Sequence, residues 1–404
     1  MILAVSLFIL HCFLLFSVAF KFYLTTQAPK RTTRFQKEHV LPKYSILVPA
    51  YKESAILNKL LDSMNKLDYP KDKLEIFVIL EEDDHEAIEL IQRTKLPSYM
   101  QVVVVAPSLP KTKPKACNEV LRLCTGEFVV VYDAEDRPAP DQLKLAVNHF
   151  RAYGDDTVCL QANLNWFNAH ENTLTKLFSL EYSVWFTLFV PALCALGYPV
   201  PLGGTSNHFR LKALKELGGW DAYNVTEDAE LGLRLHIQGY KVRHLDSETL
   251  EECVVDPVSW IKQRTRWLKG HLQTWIKYGF SCSHKRILDN VAAFLFVLGS
   301  PVCSLLTLPL NITFIVTLFS PSVAHYLFPS FVFQLAAFLC MTVGNSMVMY
   351  AYVIARQKKV SSIYILLLPF YFILHSIAAV RASIQMFTNP HLWEKTTHGK
   401  TKID

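Results

Sequence analysis

The chain has 404 residues, a formal net charge of +6 and 51% apolar residues. It is too apolar for an ordinary soluble enzyme and too charged for a pure channel, so a soluble part and a membrane part are both expected. The modest positive charge gathers beside the apolar runs and suits anionic lipid rather than nucleic acid.

Residues 1–23 form a nearly uninterrupted apolar run, followed by Lys30, Arg31, Arg34 and Lys37 with no small-residue cleavage site between. The run is long enough to cross a bilayer and reads as an uncleaved transmembrane helix with its basic end in the cytoplasm.

Residues 40–290 behave as an α/β domain. The runs YSILVPA, LEIFVIL, QVVVVA and EFVVVYD alternate with helical stretches over 53–66, 84–93 and 115–124. This is the pattern of a mostly parallel sheet covered by helices, in which ligands bind beyond the carboxyl ends of the strands. Those ends are acidic: Glu81, Glu82, Asp83 and Asp84 follow the second run, and Asp133, Glu135 and Asp136 follow the fourth. Asp133 and Glu135 can share a hard divalent ion that takes phosphate oxygens as further ligands, although such strings are also common in solvated loops.

The stretch VTEDAELGLRLHIQGY, 225–240, crowds Glu227, Asp228 and Glu230 behind Thr226 at the start of a predicted helix. Acids there suit the positive end of the helix dipole and are compatible with ordinary capping. Beside two other acidic strand ends, they ask for a cation or a proton-transfer task. A further helix, predicted over 258–278, carries QRTRW and places Gln263, Arg266 and Trp267 on one face. Arginine suits a diphosphate and tryptophan a sugar ring, though the pair also anchors helices at membrane interfaces.

Two more apolar runs, 291–319 and 329–355, are separated by SPSVAHYLFP and followed by Arg356, Lys358 and Lys359. They are expected to leave and re-enter the cytoplasm, with Pro301 and Pro309 kinking the first. In the next run, 361–380, Pro369 breaks the helical pattern, and His375, Arg381 and Gln385 give the later part a polar side. The segment 361–388 is therefore read as interfacial or re-entrant, leaving 389–404 as a cytoplasmic tail. The nine cysteines lack metal-ligand spacing, so neither zinc nor a disulfide is expected in a cytoplasm-facing domain.

Six motifs now stand in order: VPAYKE (48–53), LEEDD (80–84), YDAED (132–136), PLGGTSNHFR (201–210), TED (226–228) and QRTRWLKG (263–270). Together they strongly resemble the membrane-embedded, GT-A-fold inverting glycosyltransferases of family 2, the cellulose, chitin and hyaluronan synthase kind. TEDAELGLRL and the C-terminal WEKTTHG are most similar to bacterial exopolysaccharide glycosyltransferases, and the resemblance covers nearly the whole chain. It implies a Rossmann-like GT-A domain, with a mostly parallel mixed sheet, on the cytoplasmic side of transmembrane helices in a bacterial inner or plasma membrane.

The resemblance also implies residue roles. Tyr51 and Glu53 would touch the nucleotide base, Asp83 its uracil or ribose side, and Lys115 the diphosphate. Asp133 and Glu135 would bind the donor and Mg²⁺ or Mn²⁺; Glu135 departs from the usual aspartate, and Asp136 competes with it as a ligand. Asp228 matches the general base, Glu227 would position or contact the acceptor, and Glu230 is left as a surface or capping acid. Gln263 and Arg266 match the diphosphate clamp, Trp267 the platform under the acceptor sugar, and Gly203, Gly204 and Thr205 the strand edge beside it. Trp393, Lys395, Thr396 and His398 would belong to a gating segment over the nucleotide.

The implied reaction is metal-dependent transfer of a hexosyl or N-acetylhexosaminyl group from a nucleotide sugar, foremost a UDP-sugar, to a glycan acceptor, extended processively into polysaccharide. Three spans make a slender export path, so a homodimer or an accessory export partner is kept open. A single transfer to a lipid-phosphate acceptor is the alternative. Transport without catalysis is disfavoured because the acids lie in the soluble domain.

Overall fold

The computed structural model describes residues 2–29, 40–279, 286–328, 330–339, 344, 354, 363–396, 399 and 401. Helix α1 (Ile2–Gln27) precedes β1 (Tyr44–Ala50), α2 (Leu57–Asn65), β2 (Leu74–Glu81), α3 (His85–Arg93), β3 (Met100–Val105), α4 (Lys113–Leu121) and β4 (Phe128–Val131). Then come β5 (Arg137–Pro138), α5 (Gln142–Tyr153), β6 (Thr157–Trp166), α6 (Thr173–Val184), a π-helical turn at Trp185–Phe189, α7 (Val190–Leu196), β7 (Asn207–Arg210) and α8 (Leu211–Glu216). The domain closes with α9 (Glu227–Ile237), β8 (Lys241–Glu251) and α10 (Pro257–Tyr278). Beyond it lie α11 (Ile287–Ala293), a second π-helical turn at Phe294–Leu298, α12 (Gly299–Phe319) and α13 (Pro321–Leu327). Helices α14 (Phe331–Leu339) and α15 (Ile363–Thr388) follow.

The strands form a mixed sheet in the order β3-β2-β1-β4-β7-β6-β8-β5. The β3-β2-β1-β4 half is parallel, while β7 runs antiparallel to both β4 and β6. All eight residues of β2 are buried, which explains its apolar centre IFVIL: a parallel strand covered on both faces has no side to give to water, and its buried Glu75 is paired with Lys43 at 2.7 Å. One face of the sheet packs against Leu57 and Leu60 of α2, Ile91 of α3 and Phe150 of α5. The other packs against Val120, Phe178 and Trp260, and that core continues into Phe20 and Leu24 of α1 and Phe296. The α/β domain and the apolar helices thus share one core.

Two glycines permit close approaches to the acidic helix α9, one from α10 and one from the loop before β7. A Cβ on Gly270 would stand 2.2 Å from Thr226 Oγ1, and one on Gly232 would stand 2.0 Å from the Val200 carbonyl. The glycine of QRTRWLKG is therefore a packing requirement that lets α10 reach the start of α9.

Among the described residues, four helices are long and apolar enough to cross a membrane: Ile2–Gln27, Thr173–Leu196, Ile287–Phe319 and Leu366–Thr388. The second was not expected from the sequence; it is mostly enclosed by the rest of the protein, as its mixture of polar and apolar residues requires. The expected run 329–355 begins as α14, bent 97° from α13, and most of it lies outside the described residues. Pro369 does not break α15, which runs unbroken over 26 residues. Both ends of α15 touch the α/β domain: the Lys176 ammonium donates to Tyr364 at 2.9 Å, and Lys269 donates to Gln385 at 3.1 Å.

Candidate active site

A cavity of about 550 Å³ opens at the carboxyl ends of β1, β2 and β4. Its centre is a cluster of opposite charges. Lys113, the first residue of α4, places Nζ 2.5 Å from Asp133 Oδ1 and donates to the Gly204 carbonyl at 2.7 Å. Burial works against this ammonium, but Asp133, Asp228 and Glu227 outweigh it, and its pKa is raised well above the usual lysine value. Across the cavity stands Arg266 of α10, whose guanidinium donates to the Val225 carbonyl at 3.3 Å.

Asp228 lies in the first turn of α9 and lines the cavity beside Gly204, where an added Cβ would come within 3.8 Å of its Oδ2. Burial, then the neighbouring Glu227, push its pKa well above the usual aspartate value, against the pull of Lys113 and Arg266. Glu227 is itself raised by burial, with Lys113 and Arg266 opposing. Glu135 is raised by burial and by Asp133 and Glu53. The arrangement can accept a proton at Asp228 while meeting a departing anion with two cations.

At the β1 end of the cavity, Tyr51 donates to Asp83 at 3.2 Å, and Lys111 donates to the Tyr51 hydroxyl at 2.9 Å and pairs with Asp83. The tail closes over this end. Lys395 pairs with Glu53 at 3.0 Å and bonds the Tyr51 carbonyl, Trp393 lies over the Arg266 guanidinium at 4.6 Å, and Thr396 joins the lining. Lys269, fully buried, anchors the tail by donating to the carbonyls of Asn389 and Leu392, and Arg381 grips Glu394 through two bonds of 2.5 Å. His398 lies outside the described residues.

The cavity gathers Tyr51, Glu53, Asp133, Glu135, Gly203, Gly204, Glu227, Asp228, Gln263, Arg266 and Trp267 from the expected set. Lys115 is a correction: its ammonium is buried against Glu81 at 3.4 Å and the Ala106 carbonyl at 2.8 Å, and Lys113, two residues earlier, is the lysine that lines the cavity. Thr205 is also corrected: it is fully buried, bonding the Val131 carbonyl and Asp136, so it braces the loop rather than facing an acceptor. Asp136 turns the same way, accepting from the Asp133 N–H at 2.8 Å, and does not line the cavity. Glu230 is no surface acid; buried on α9, it binds Arg234 at 3.0 Å and Lys277 at 2.9 Å. Trp267 lines the cavity, but Tyr182 stacks on it at 6.3 Å and Arg264 lies over its ring at 4.5 Å. Its platform is therefore shared with Tyr182, which stacks in turn on Trp166 at 4.2 Å.

Sequence reasoning missed Lys113, Lys111, Lys269 and Glu251. The signal for the first two was the alternation of lysines in KTKPK ahead of a helix; for Lys269 there was none. Glu251 lines the cavity at the end of β8, and its Oε1 has no hydrogen-bond partner among the described residues.

Among the described residues, no three His, Cys, Asp or Glu side chains are grouped to hold a metal unaided. Asp133 and Glu135 nonetheless fit a divalent ion shared with a ligand: two crowded carboxylates plus phosphate oxygens and water are a donor set that Mg²⁺ or Mn²⁺ accepts.

A model for the glycosyltransferase like family 2 matches residues 42–270. The probable glycosyltransferase YdaM of Bacillus subtilis is 27% identical over 298 residues, 71% of this chain and 69% of its own. The beta-monoglucosyldiacylglycerol synthase of Trichormus variabilis is 31% identical over 255 residues; the match covers 61% of this chain and 53% of that enzyme, so the chain spans about half its length. Among solved structures, the mannosyltransferase PcManGT of Pyrobaculum calidifontis, in complex with GDP-Man and Mn²⁺, superposes with a TM-score of 0.59 at 16% identity, covering 95% of this chain and 98% of that one. That likeness is one of fold.

Proposed function

We propose that this chain, which belongs to the family 2 glycosyltransferases and has their GT-A fold, is an inverting hexosyl- or N-acetylhexosaminyltransferase using a UDP-sugar. The observation that supports the reading is a cavity that Asp228 lines together with Lys113 and Arg266, both of which act on its charge. In the step, the acceptor oxygen forms its bond to the anomeric carbon, the bond from that carbon to the diphosphate breaks, and the acceptor proton passes to Asp228. Lys113 and Arg266 stabilise the charge on the departing diphosphate. Tyr51, Asp83 and Glu53 hold the nucleoside, and Lys395 and Trp393 exclude water above it. Asp133 and Glu135 would hold Mg²⁺ or Mn²⁺, which supplies charge neutralisation at the leaving diphosphate.

The acceptor in this reading is a glycan whose sugar meets the Trp267, Tyr182 and Trp166 wall, with processive extension as the resemblance implies. Transfer of one sugar to a lipid acceptor is the second reading, favoured by the apolar extension of the cavity toward α12 and α15. Scanning UDP-glucose, UDP-N-acetylglucosamine, UDP-galactose and GDP-mannose against the purified protein tests donor use, and product length separates the two acceptors. Transfer from none of them overturns the proposal.

The proposed organisation places residues 40–290 on the cytoplasmic side, with 1–23 and 291–355 in the membrane, 361–388 along its face and 389–404 as the gating tail. A helix of 26 residues is about 39 Å long. Because both ends of α15 meet the α/β domain, a course along the membrane face accounts for its contacts better than a crossing. One face is buried through Tyr371, His375, Ala378 and Ala382, while Leu366, Phe370, Ile373 and Ile377 project outward, as an in-plane helix requires.

A further inference from the structure

The cavity does not end at Asp228. Beyond the aromatic wall it continues among the membrane-side helices, where Lys21 of α1, Trp185 and Phe189 of the first π-turn, Phe296 of the second, Ser300 of α12 and Phe372 of α15 line it. The two π-turns face one another: the Phe296 ring lies 5.4 Å from Trp185 and 5.9 Å from Phe189. A π-turn inserts a residue into a helix and re-aims its side chains, and such turns concentrate at functional sites. Two of them meet here, on a surface that the transfer step itself does not use.

The lining of this branch favours one class of ligand. A bare polysaccharide carries hydroxyls all along its length, and each would need a partner after losing water. The branch offers few. Glu181, which also borders the cavity, is engaged by Arg264 at 2.8 Å and by Tyr371, leaving mostly aromatic rings, the Ser300 hydroxyl, the His271 imidazole and the Lys21 ammonium. Aromatic walls of this kind accept a hydrocarbon chain. Lys21, near the end of α1, lines the same branch, and a lysine there can lay its methylene stem along a hydrocarbon chain while its ammonium stays with polar atoms. The helices supplying Lys21, Phe296 with Ser300, and Phe372 are each apolar enough to contact a bilayer.

We infer that this branch binds the hydrocarbon part of the acceptor. The acceptor is an amphiphile: its sugar or alcohol headgroup reaches Asp228, and its chain lies between the two π-turns and α15. This rests on the transferase reading and specifies its acceptor class, whether one sugar or many are added.

The test uses the full-length purified protein, its preferred UDP-sugar, and methyl, hexyl and octyl glycosides of one sugar below their micelle-forming concentrations, with a soluble oligosaccharide of that sugar alongside. The acceptor KM should fall at least about tenfold from methyl to octyl, since each buried methylene is worth roughly a fourfold gain. Ser300→Trp, which fills the branch, should raise the octyl glycoside KM about tenfold and move the methyl glycoside KM far less, with UDP binding as the check on folding. If that variant does not fold, the alkyl series on the parent protein decides alone. Equal KM for methyl and octyl, or oligosaccharide used as well as octyl glycoside, overturns the inference and leaves the transferase reading standing. UDP binding without transfer to any acceptor overturns both.

Discussion

Lys113 Nζ stands 2.5 Å from Asp133 Oδ1, and the same ammonium reaches the Gly204 carbonyl. One side chain therefore ties the acidic end of β4 to the glycine pair beside Asp228. Lys115, two residues on, is instead buried against Glu81. Lys113→Ala is expected to lower transfer by about 10²-fold, because a donor of charge to the leaving diphosphate is lost. Lys115→Ala is expected to destabilise the domain by about 3 kcal/mol, because it leaves a carboxylate in a largely enclosed site without its partner. Single-turnover transfer and denaturant unfolding on both variants check the pair; a Lys115 variant with normal stability and crippled transfer would reverse their roles.

Asp228→Asn preserves size and cannot take a proton, so transfer should fall by about 10²-fold or more while UDP binding survives. The folded protein favours the neutral form of this group, so the substitution should leave the melting temperature at pH 7 to 8 unchanged or higher. Near-normal turnover would remove Asp228 from the role of base.

Asp228 must be ionised to accept the proton, and burial with Glu227 raises its pKa. The acid limb of kcat is expected to fall at an apparent pKa above the ordinary carboxylate value of about 4, shared among the coupled acids. The stability contribution runs in the opposite sense. A raised carboxyl pKa favours the fold below the unfolded pKa, and this contribution is lost as pH rises through the folded pKa. A pH–rate profile whose acid limb lies at about 4 would contradict the coupling.

Asp133→Asn or Glu135→Gln should weaken UDP binding in the presence of Mn²⁺ or Mg²⁺, and EDTA should stop transfer by the parent protein until either ion is returned. Calorimetry with UDP and each ion, compared with UDP alone, measures the linkage. Full activity in EDTA would show that Lys113 and Arg266 suffice for the leaving group.

Lys395→Ala and Trp393→Ala remove contacts to Glu53 and Arg266, so each should raise the donor KM several-fold with little change in unfolding midpoint. Thr401 lies at Glu252 and Glu171 through bonds of 3.0 Å and 2.5 Å, on the side of the α/β domain. Thr401→Cys should accordingly react with an impermeant thiol reagent only from the cytoplasmic face. Labelling from the opposite face would detach the tail from the nucleotide.

Much of this was legible in the chain by itself. A strand buried on both faces must be largely apolar, so β1, β2 and β4 announced themselves, and the acids that follow β2 and β4 fell at the carboxyl end of the sheet, where the cavity opens. The helical period put Gln263, Arg266 and Trp267 on one face, and the ordered motifs indicated the family. Three-dimensional contacts decided the rest. Which of three alternating lysines faces Asp133 depends on where α4 starts, and that start is set by packing rather than by composition. Glu230 became a core residue because Lys277, far along the chain, closes on it together with Arg234. Thr205 turned inward because Asp136 needed a donor. Pro369 was absorbed into α15, which the α/β domain holds at both ends. Lys269 gathers the tail across more than a hundred residues. Apart from Pro369, these depend on partners that folding brings to buried polar groups; desolvation makes such pairings obligatory once the chain has folded, but they leave no periodicity in the sequence.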